Sequence, residues 1–220
     1  MNVTEAVASR RSIRAYTDEK VPLDVLTRVL DKARMAPSGC NFQPWEATVL
    51  TGEPLKALQA RLLPAERQDP IEYSYSEPQK SERYLPRLQE LGAQMYGAMG
   101  IARDDKESRN RFVEANKVSF GAPVLMLIYM ERLHAAPQWS DVGMWLQTIM
   151  LLLREEGLDS CPQEWMSDFG RLIKDHIGVS DETHILFCGL AIGYGDRSDP
   201  VNQFERTRTP LEDQVRFAGF

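Results

Sequence analysis

Pro123-Val-Leu-Met-Leu-Ile-Tyr-Met130 sets the architecture of the chain. The run carries no charge, has the length of a strand, and lacks the apolar–polar alternation of a half-solvated one. That pattern predicts a strand covered on both faces. A second run of the same kind, His184-Ile-Leu-Phe-Cys-Gly-Leu-Ala191, closes in Gly193 and Gly195. Glu46-Ala-Thr-Val-Leu50 has strand composition too, and it follows a helix and a turn.

Working outward, the spacing of apolar residues predicts helices over 2–9, 22–35, 54–63, 86–99, 105–117, 140–156 and 168–176. In the second of these Leu23, Leu26, Val29, Leu30 and Ala33 fall at helical spacing, with Pro22 suited to the first turn. Residues 140–156 are apolar almost all round, which predicts a central buried helix ended by Gly157. Residues 64–82 carry three prolines, many charges and two exposed-looking tyrosines with neither period, so they read as a long surface excursion. Beyond residue 196 the chain is polar and irregular. It still ends in Val215, Phe217 and Phe220, whose burial a partner subunit would supply.

The chain has 220 residues, 43 % of them hydrophobic, enough to bury roughly 70 % of the unfolded surface in one core or two. Its 26 Lys and Arg against 32 Asp and Glu give a net charge of −6. A molecule of that sign repels nucleic acid and anionic membrane unless its cations are gathered locally. The longest apolar stretch, Val142 to Leu153, is too short for a bilayer span, and the first residues lack the apolar core of a signal peptide. The three cysteines, Cys40, Cys161 and Cys188, are odd in number and widely spaced, and read as reduced thiols in or near the core of a cytoplasmic protein. His134, His176 and His184 lie far apart with no carboxylate at ligand spacing, so no metal is expected. Gly189, Gly193 and Gly195 form no dinucleotide-binding fingerprint.

Positive charge does gather in two places, Arg10-Arg11-Ser12-Ile13-Arg14 and Arg206-Thr207-Arg208. Guanidinium forks with a serine hydroxyl suit a small phosphate monoester; spacing alone equally allows solvated clusters paired with carboxylates. The turn-forming decapeptide Ala36 to Trp45 offers small residues for close backbone approach. Its Asn41 and Gln43 amides could pair with a heterocycle edge. Ser160 to Trp165, read as a turn leaving the long helix, could aim backbone N–H groups at a ligand.

Taken together, RRSIRAY (10–16), APSGCNFQPW (36–45), DSCPQEW (159–165), GLAIGYGD (189–196) and N-x-x-x-R-T-R-x-P-L-E-D (202–213) resemble the FMN-dependent nitroreductase family, in order and spacing along nearly the whole chain. The resemblance implies one domain over residues 1–220, of the α+β class. A central, mostly antiparallel sheet would sit among helices in an interlocked homodimer with two FMN sites at its interface. Arg10, Arg11, Ser12 and Arg14 would hold the ribityl phosphate and pyrimidine edge, with Arg206 and Arg208 completing the phosphate pocket. Pro37, Ser38, Gly39 and Asn41 would come from the other subunit against the isoalloxazine. Pro162, Gln163 and Glu164 would lie beside the flavin, a backbone N–H of that turn reaching N5. Trp165 would either wall the site or merely pack.

The segment 64–112 is longer than in compact members of the family and resembles a subgroup in which it forms a lid. That makes Tyr73, Tyr75, Arg83 and Tyr84 candidates for substrate contact, against ordinary loop packing. The tail at 197–220 would clasp the dimer. The implied activity is two-electron reduction of a nitroaromatic or quinone at the expense of NAD(P)H, with no covalent role for a side chain. Reductive dehalogenation and a non-catalytic flavin redox sensor are the rival readings.

Overall fold

The computed structural model describes residues 1–220 and builds one four-stranded, wholly antiparallel sheet. The spatial order is β1 (Glu46–Thr51), β2 (Val124–Glu131), β4 (His184–Gly193), β3 (Asp159–Gln163). The 123–130 run becomes an inner strand whose residues are buried from Val124 to Met130. Its alternation sorts the core in two. Met126, Ile128 and Met130 pack with Cys188 and Leu190 under α2 (Leu23–Ala33) and α6 (Ala136–Glu155). Leu125, Leu127 and Tyr129 face the other way with Leu186, under α3 (Gly52–Leu62) and α7 (Gly170–Ile177). Two apolar layers explain why β2 shows no polar face. The remaining helices are α1 (Val3–Ser9), α4 (Leu85–Ala98) and α5 (Lys106–Glu114).

Several expectations are corrected. Residues 159–163 form a strand rather than a turn, because antiparallel pairing with β4 from Gly189 to Gly193 overrides the weak strand composition of DSCPQ. Pro22 caps α2 instead of entering its first turn, and Leu23 points to solvent. The long helix α6 begins at Ala136, with Pro137 in its first turn. It is not buried all round. Val142, Trp145, Ile149 and Leu153 face the core, whereas Met144 and Gln147 are exposed on its outer flank. Cys161 and Cys188 are buried but Cys40 is exposed.

Residues 64–84 contain no α-helix or strand, only a short 3-10 turn at Pro78–Lys80. The tail holds two such turns, Pro200–Asn202 and Leu211–Asp213, and leaves Val215, Phe217 and Phe220 exposed on the single chain, Phe217 at 64 %. No helix is long and apolar enough to cross a membrane.

Candidate functional site

The two arginine runs meet. Ile13, fully buried, pulls the 10–14 segment onto the sheet, and its N–H donates to the Ser160 carbonyl at 3.1 Å, so Ser12 lies parallel to Ser160 on the outer edge of β3. Asn202 stitches the tail to the same segment: its Oδ1 accepts the Arg14 N–H at 2.8 Å, and its Nδ2 donates to the carbonyls of Ala15 at 2.9 Å and Asp196 at 2.8 Å. Arg206 donates to the Arg10 and Ala8 carbonyls, and Arg11 to the Phe204 carbonyl while lying over the Phe204 ring. Between them opens a cavity of about 610 Å³ bordered by Val7, Ala8, Arg10, Gln147, Met150, Arg206 and Arg208.

None of Arg10, Arg11, Arg14, Arg206 and Arg208 forms an ion pair with a carboxylate, although the chain has 32 of them. Burial lowers the Arg10 pKa below its ordinary value, and the neighbouring Arg206 and Arg208 lower it further. The Arg206 pKa is lowered by burial, then by Arg208 and Arg11. Cations crowded together without counterions are the donor set of an anion site, and the phosphate reading fits them better than the paired surface cluster.

The far end of β3 lies on the same strand. Pro162 is half-buried and Glu164 exposed, while Gln163 is buried, its Nε2 donating to the Asn116 carbonyl at 3.1 Å and side-chain oxygen at 3.0 Å. Gln163 Oε1 has no partner. Trp165 packs its ring on Phe169, centroids 4.9 Å apart, under the Arg67 guanidinium at 5.3 Å.

The 37–41 loop stands elsewhere in the chain. Cys40, Asn41 and Gln43 adopt left-handed backbone, held by the Gln43 N–H on Ser38 Oγ at 2.9 Å and by the Gly39 N–H on both Asp141 oxygens at 3.2 Å. Asp141 sits in the first half of α6, whereas Gln147 and Met150 beside the arginines come six and nine residues later, roughly 9 to 14 Å along the axis. One chain therefore does not bring Pro37, Ser38, Gly39 and Asn41 to its own arginine cavity.

The excursion is bolted down where the sequence left it loose. β3 covers β4 only as far as Gly189, and the β2–β4 register slips at Phe187, so backbone groups of residues 184–187 need other partners. Glu72 accepts from the Leu186 N–H at 2.8 Å, from Lys174 Nζ, and from Arg132 Nη2 at 3.1 Å. Lys174, with no exposed surface, also donates to the His184 carbonyl at 2.9 Å and meets Asp181 at 2.6 Å. The Tyr73 hydroxyl donates to the Phe187 carbonyl at 2.5 Å. Tyr75 Oη lies 3.1 Å from the Glu164 carbonyl, 2.6 Å from Ser167 Oγ and 3.1 Å from Asp168 Oδ1.

Both hydroxyls are thus occupied by the protein itself; Tyr73 is half-buried, whereas Tyr75 keeps the exposed ring that the sequence suggested. Arg83 turns to the tail, donating to the Asp213 carbonyl at 3.1 Å, and stacks on Tyr84. Sequence reading missed Glu72, Lys174, Asn116 and Asn202. Only Asn202 had a signal, as the first residue of the tail motif; Glu72 and Lys174 are 102 positions apart.

Comparison with known proteins gives a consistent result. A model of the Nitroreductase family matches residues 7–194. The chain is 36 % identical to a 4-nitrobenzoate reductase of Pseudomonas putida, over 97 % of this chain and 94 % of that one. It is 32 % identical to a chloronitrobenzene nitroreductase of Comamonas testosteroni, over 98 % and 96 %. Among solved structures, an FMN and NADPH-dependent nitroreductase from Sphigopyxis sp. strain HMH superimposes with a TM-score of 0.94 at 41 % identity, covering all of both chains.

Proposed function

Because the chain belongs to the nitroreductase family, we propose that it is an FMN-dependent NAD(P)H oxidoreductase that reduces nitroaromatic compounds by two-electron hydride transfer. The observation that carries the reading is the trio Arg10, Arg206 and Arg208 lining an open cavity, with Arg11 and Arg14 on the adjoining segment and none of the five paired with a carboxylate. Arg10, Arg11, Ser12, Arg14, Arg206 and Arg208 would hold the phosphate of FMN. Their charge-assisted hydrogen bonds gain strength from the half-buried setting. Pro162, Gln163 and Glu164 would flank the ring system, and the buried Gln163 Oε1, lacking a partner in the chain, is an acceptor of the kind that a ligand donor satisfies. Bound FMN supplies the hydride chemistry that links oxidation of NAD(P)H to reduction of a nitro group. The chain's own part is to hold two planar molecules in turn on one surface and to keep them aligned.

The remaining pieces support a homodimer. The 37–41 loop is exposed and distant from its own arginine cavity, and the tail presents Val215, Phe217 and Phe220 to solvent. Pro37, Ser38, Gly39 and Asn41 would complete the site of a second copy, with the tail clasping that copy. Of the four candidates for substrate contact in the 64–112 segment, Arg83, Tyr84 and the ring of Tyr75 remain open to an acceptor, since they face the surface.

The test is direct. Purified protein should carry a chromophore released as FMN on denaturation, and should oxidise NAD(P)H in proportion to added nitrobenzoate. Flavin retention without nitroaromatic turnover would indicate a sensor, and halide release from a halogenated phenol without nitro reduction would indicate a dehalogenase.

A further inference from the structure

The anchoring of the excursion places a tyrosine hydroxyl on the backbone of the segment read above as the flavin's flank. Tyr75 Oη has one proton to give and reaches the Glu164 carbonyl at 3.1 Å and Asp168 Oδ1 at 3.1 Å, with Ser167 Oγ close enough at 2.6 Å to fill the remaining position. Asp168 is almost wholly buried and is also held by Arg67 at 3.3 Å, and the Gln68 N–H donates to its carbonyl at 2.8 Å. Residues 67, 68 and 75 therefore grip Glu164–Asp168 from one side. Midway between them Glu72 is fixed to Lys174 and to the Leu186 N–H. Gly170 leaves room for that carboxylate and nothing more: a Cβ there would come within 2.7 Å of Glu72 Oε2. The Tyr73 ring packs edge-on to Tyr75 at 5.6 Å and to Trp139 at 5.0 Å, so the Tyr75 ring is supported on its protein side while its other side meets solvent.

We propose that Tyr75 is a positioning residue: its hydroxyl sets the orientation of the peptide groups at Gln163–Trp165, and Glu72 locked to Lys174 sets the position of Tyr75. The inference rests on the reading of Pro162–Glu164 as the flavin flank. A carbonyl tied down at Glu164 fixes the plane of the peptide that follows it, since the peptide unit is rigid, and so the direction of the next N–H. The excursion then acts on the cofactor through the backbone of this segment.

The holoenzyme carrying Tyr75→Phe keeps the ring and loses only the hydroxyl. Its FMN dissociation constant should rise about three- to tenfold, the range given by loss of one neutral hydrogen bond. The visible spectrum of its bound flavin should shift, and the thermal midpoint of its apo form should fall no further than that of Tyr129→Phe. Tyr129→Phe is the control, because that hydroxyl meets Thr48 Oγ1 at 3.3 Å near the opposite edge of the sheet; it should leave FMN affinity and spectrum unchanged. If Tyr75→Phe matches the parent in both readouts while Gln163→Ala alters them, the positioning role is overturned and the site reading stands. If Gln163→Ala is also silent, the site reading falls and the positioning role with it. Equal weakening by Tyr75→Phe and Tyr129→Phe would mark a general structural effect and overturn the proposal.

Discussion

Residues 64–84 and residues 197–220 are both long, irregular and rich in charge, yet the chain treats them in opposite ways. The first is held internally. Glu72 and Tyr73 take the Leu186 N–H and the Phe187 carbonyl that the sheet leaves unpaired, and Tyr75 reaches the Glu164 carbonyl and the buried Asp168 carboxylate. The second is held mainly over its first part, where Asn202 and Arg206 bind the 8–15 segment; beyond Pro210 Arg83 reaches the Asp213 carbonyl, and the large apolar side chains are exposed. Irregular backbone thus needs no periodic pattern to be fixed, provided its polar groups meet partners. Exposed aromatics at the end of such a segment point to another molecule.

The strongest way to break this contrast is to remove the internal anchor. Glu72→Ala strips the buried Lys174 ammonium of its buried carboxylate, leaves it only the half-exposed Asp181, and orphans the Leu186 N–H; it should cost about 3 kcal/mol, the lower end for a broken buried pair, read as a lower denaturant midpoint. Glu72→Leu combined with Lys174→Met should recover most of that loss, because a buried pair replaced by apolar groups of similar size is often neutral. A single variant as stable as the parent would mean that the excursion is held otherwise.

On the tail side, Arg208→Ala or Arg10→Ala should weaken FMN binding by about 1.5 to 3 kcal/mol, the worth of a hydrogen bond to a charged group, as measured by fluorescence titration. Unchanged affinity in both variants at raised salt would remove the phosphate pocket. Phe217→Asp with Phe220→Asp should convert a dimer to monomer by light scattering. Surface changes of this kind should move the unfolding of a single chain by less than about 0.5 kcal/mol. A dimer that persists would make the tail an ornament of the monomer.

The smallest effect is on pH. Burial pushes the Tyr75 phenol up to about 12, with the Asp168 carboxylate adding to the shift and the Ser167 hydroxyl opposing it. A folded pKa above the unfolded value means that its contribution is fully present below about pH 10 and is lost as pH rises from 10 to 12. Tyr75→Phe should therefore lose less stability than the parent across that window, compared by chemical denaturation at each pH. Parallel curves would show the phenol to be as free in the fold as in the unfolded chain.

Much of this molecule was legible in its residues, for reasons that differ from place to place. β2 and β4 were readable because burial on both faces leaves uniform apolar runs, and α2 because its core stripe repeats at helical spacing. The arginine runs were readable as a place of concentrated charge; that they lack carboxylate partners is a fact of space. β3 was missed because Asp, Ser, Cys, Pro and Gln carry no strand signal, and its pairing comes from residues about thirty positions on. The Glu72–Lys174 anchor was missed for the same reason at longer range, and with it the bonding of the Tyr73 and Tyr75 hydroxyls to the protein. The open flank of α6 at Met144 and Gln147 shows the limit of composition, which counts apolar residues without saying what will cover them.

The edge of the sheet formed by β3 and the uncovered half of β4 carries one more consequence. Since the Ser160 carbonyl faces outward to Ile13, strand alternation turns the backbone of Pro162 outward too, and proline has no N–H to offer there. Further along, the outward backbone groups of His184 and Leu186 are taken by Lys174 and Glu72. This rim cannot template a strand from a neighbouring molecule, which guards the chain against edge-to-edge aggregation and end-on filament growth from this side. On this side, copies of the chain that associate must do so through helices, loops and tail; the other edge of the sheet is β1.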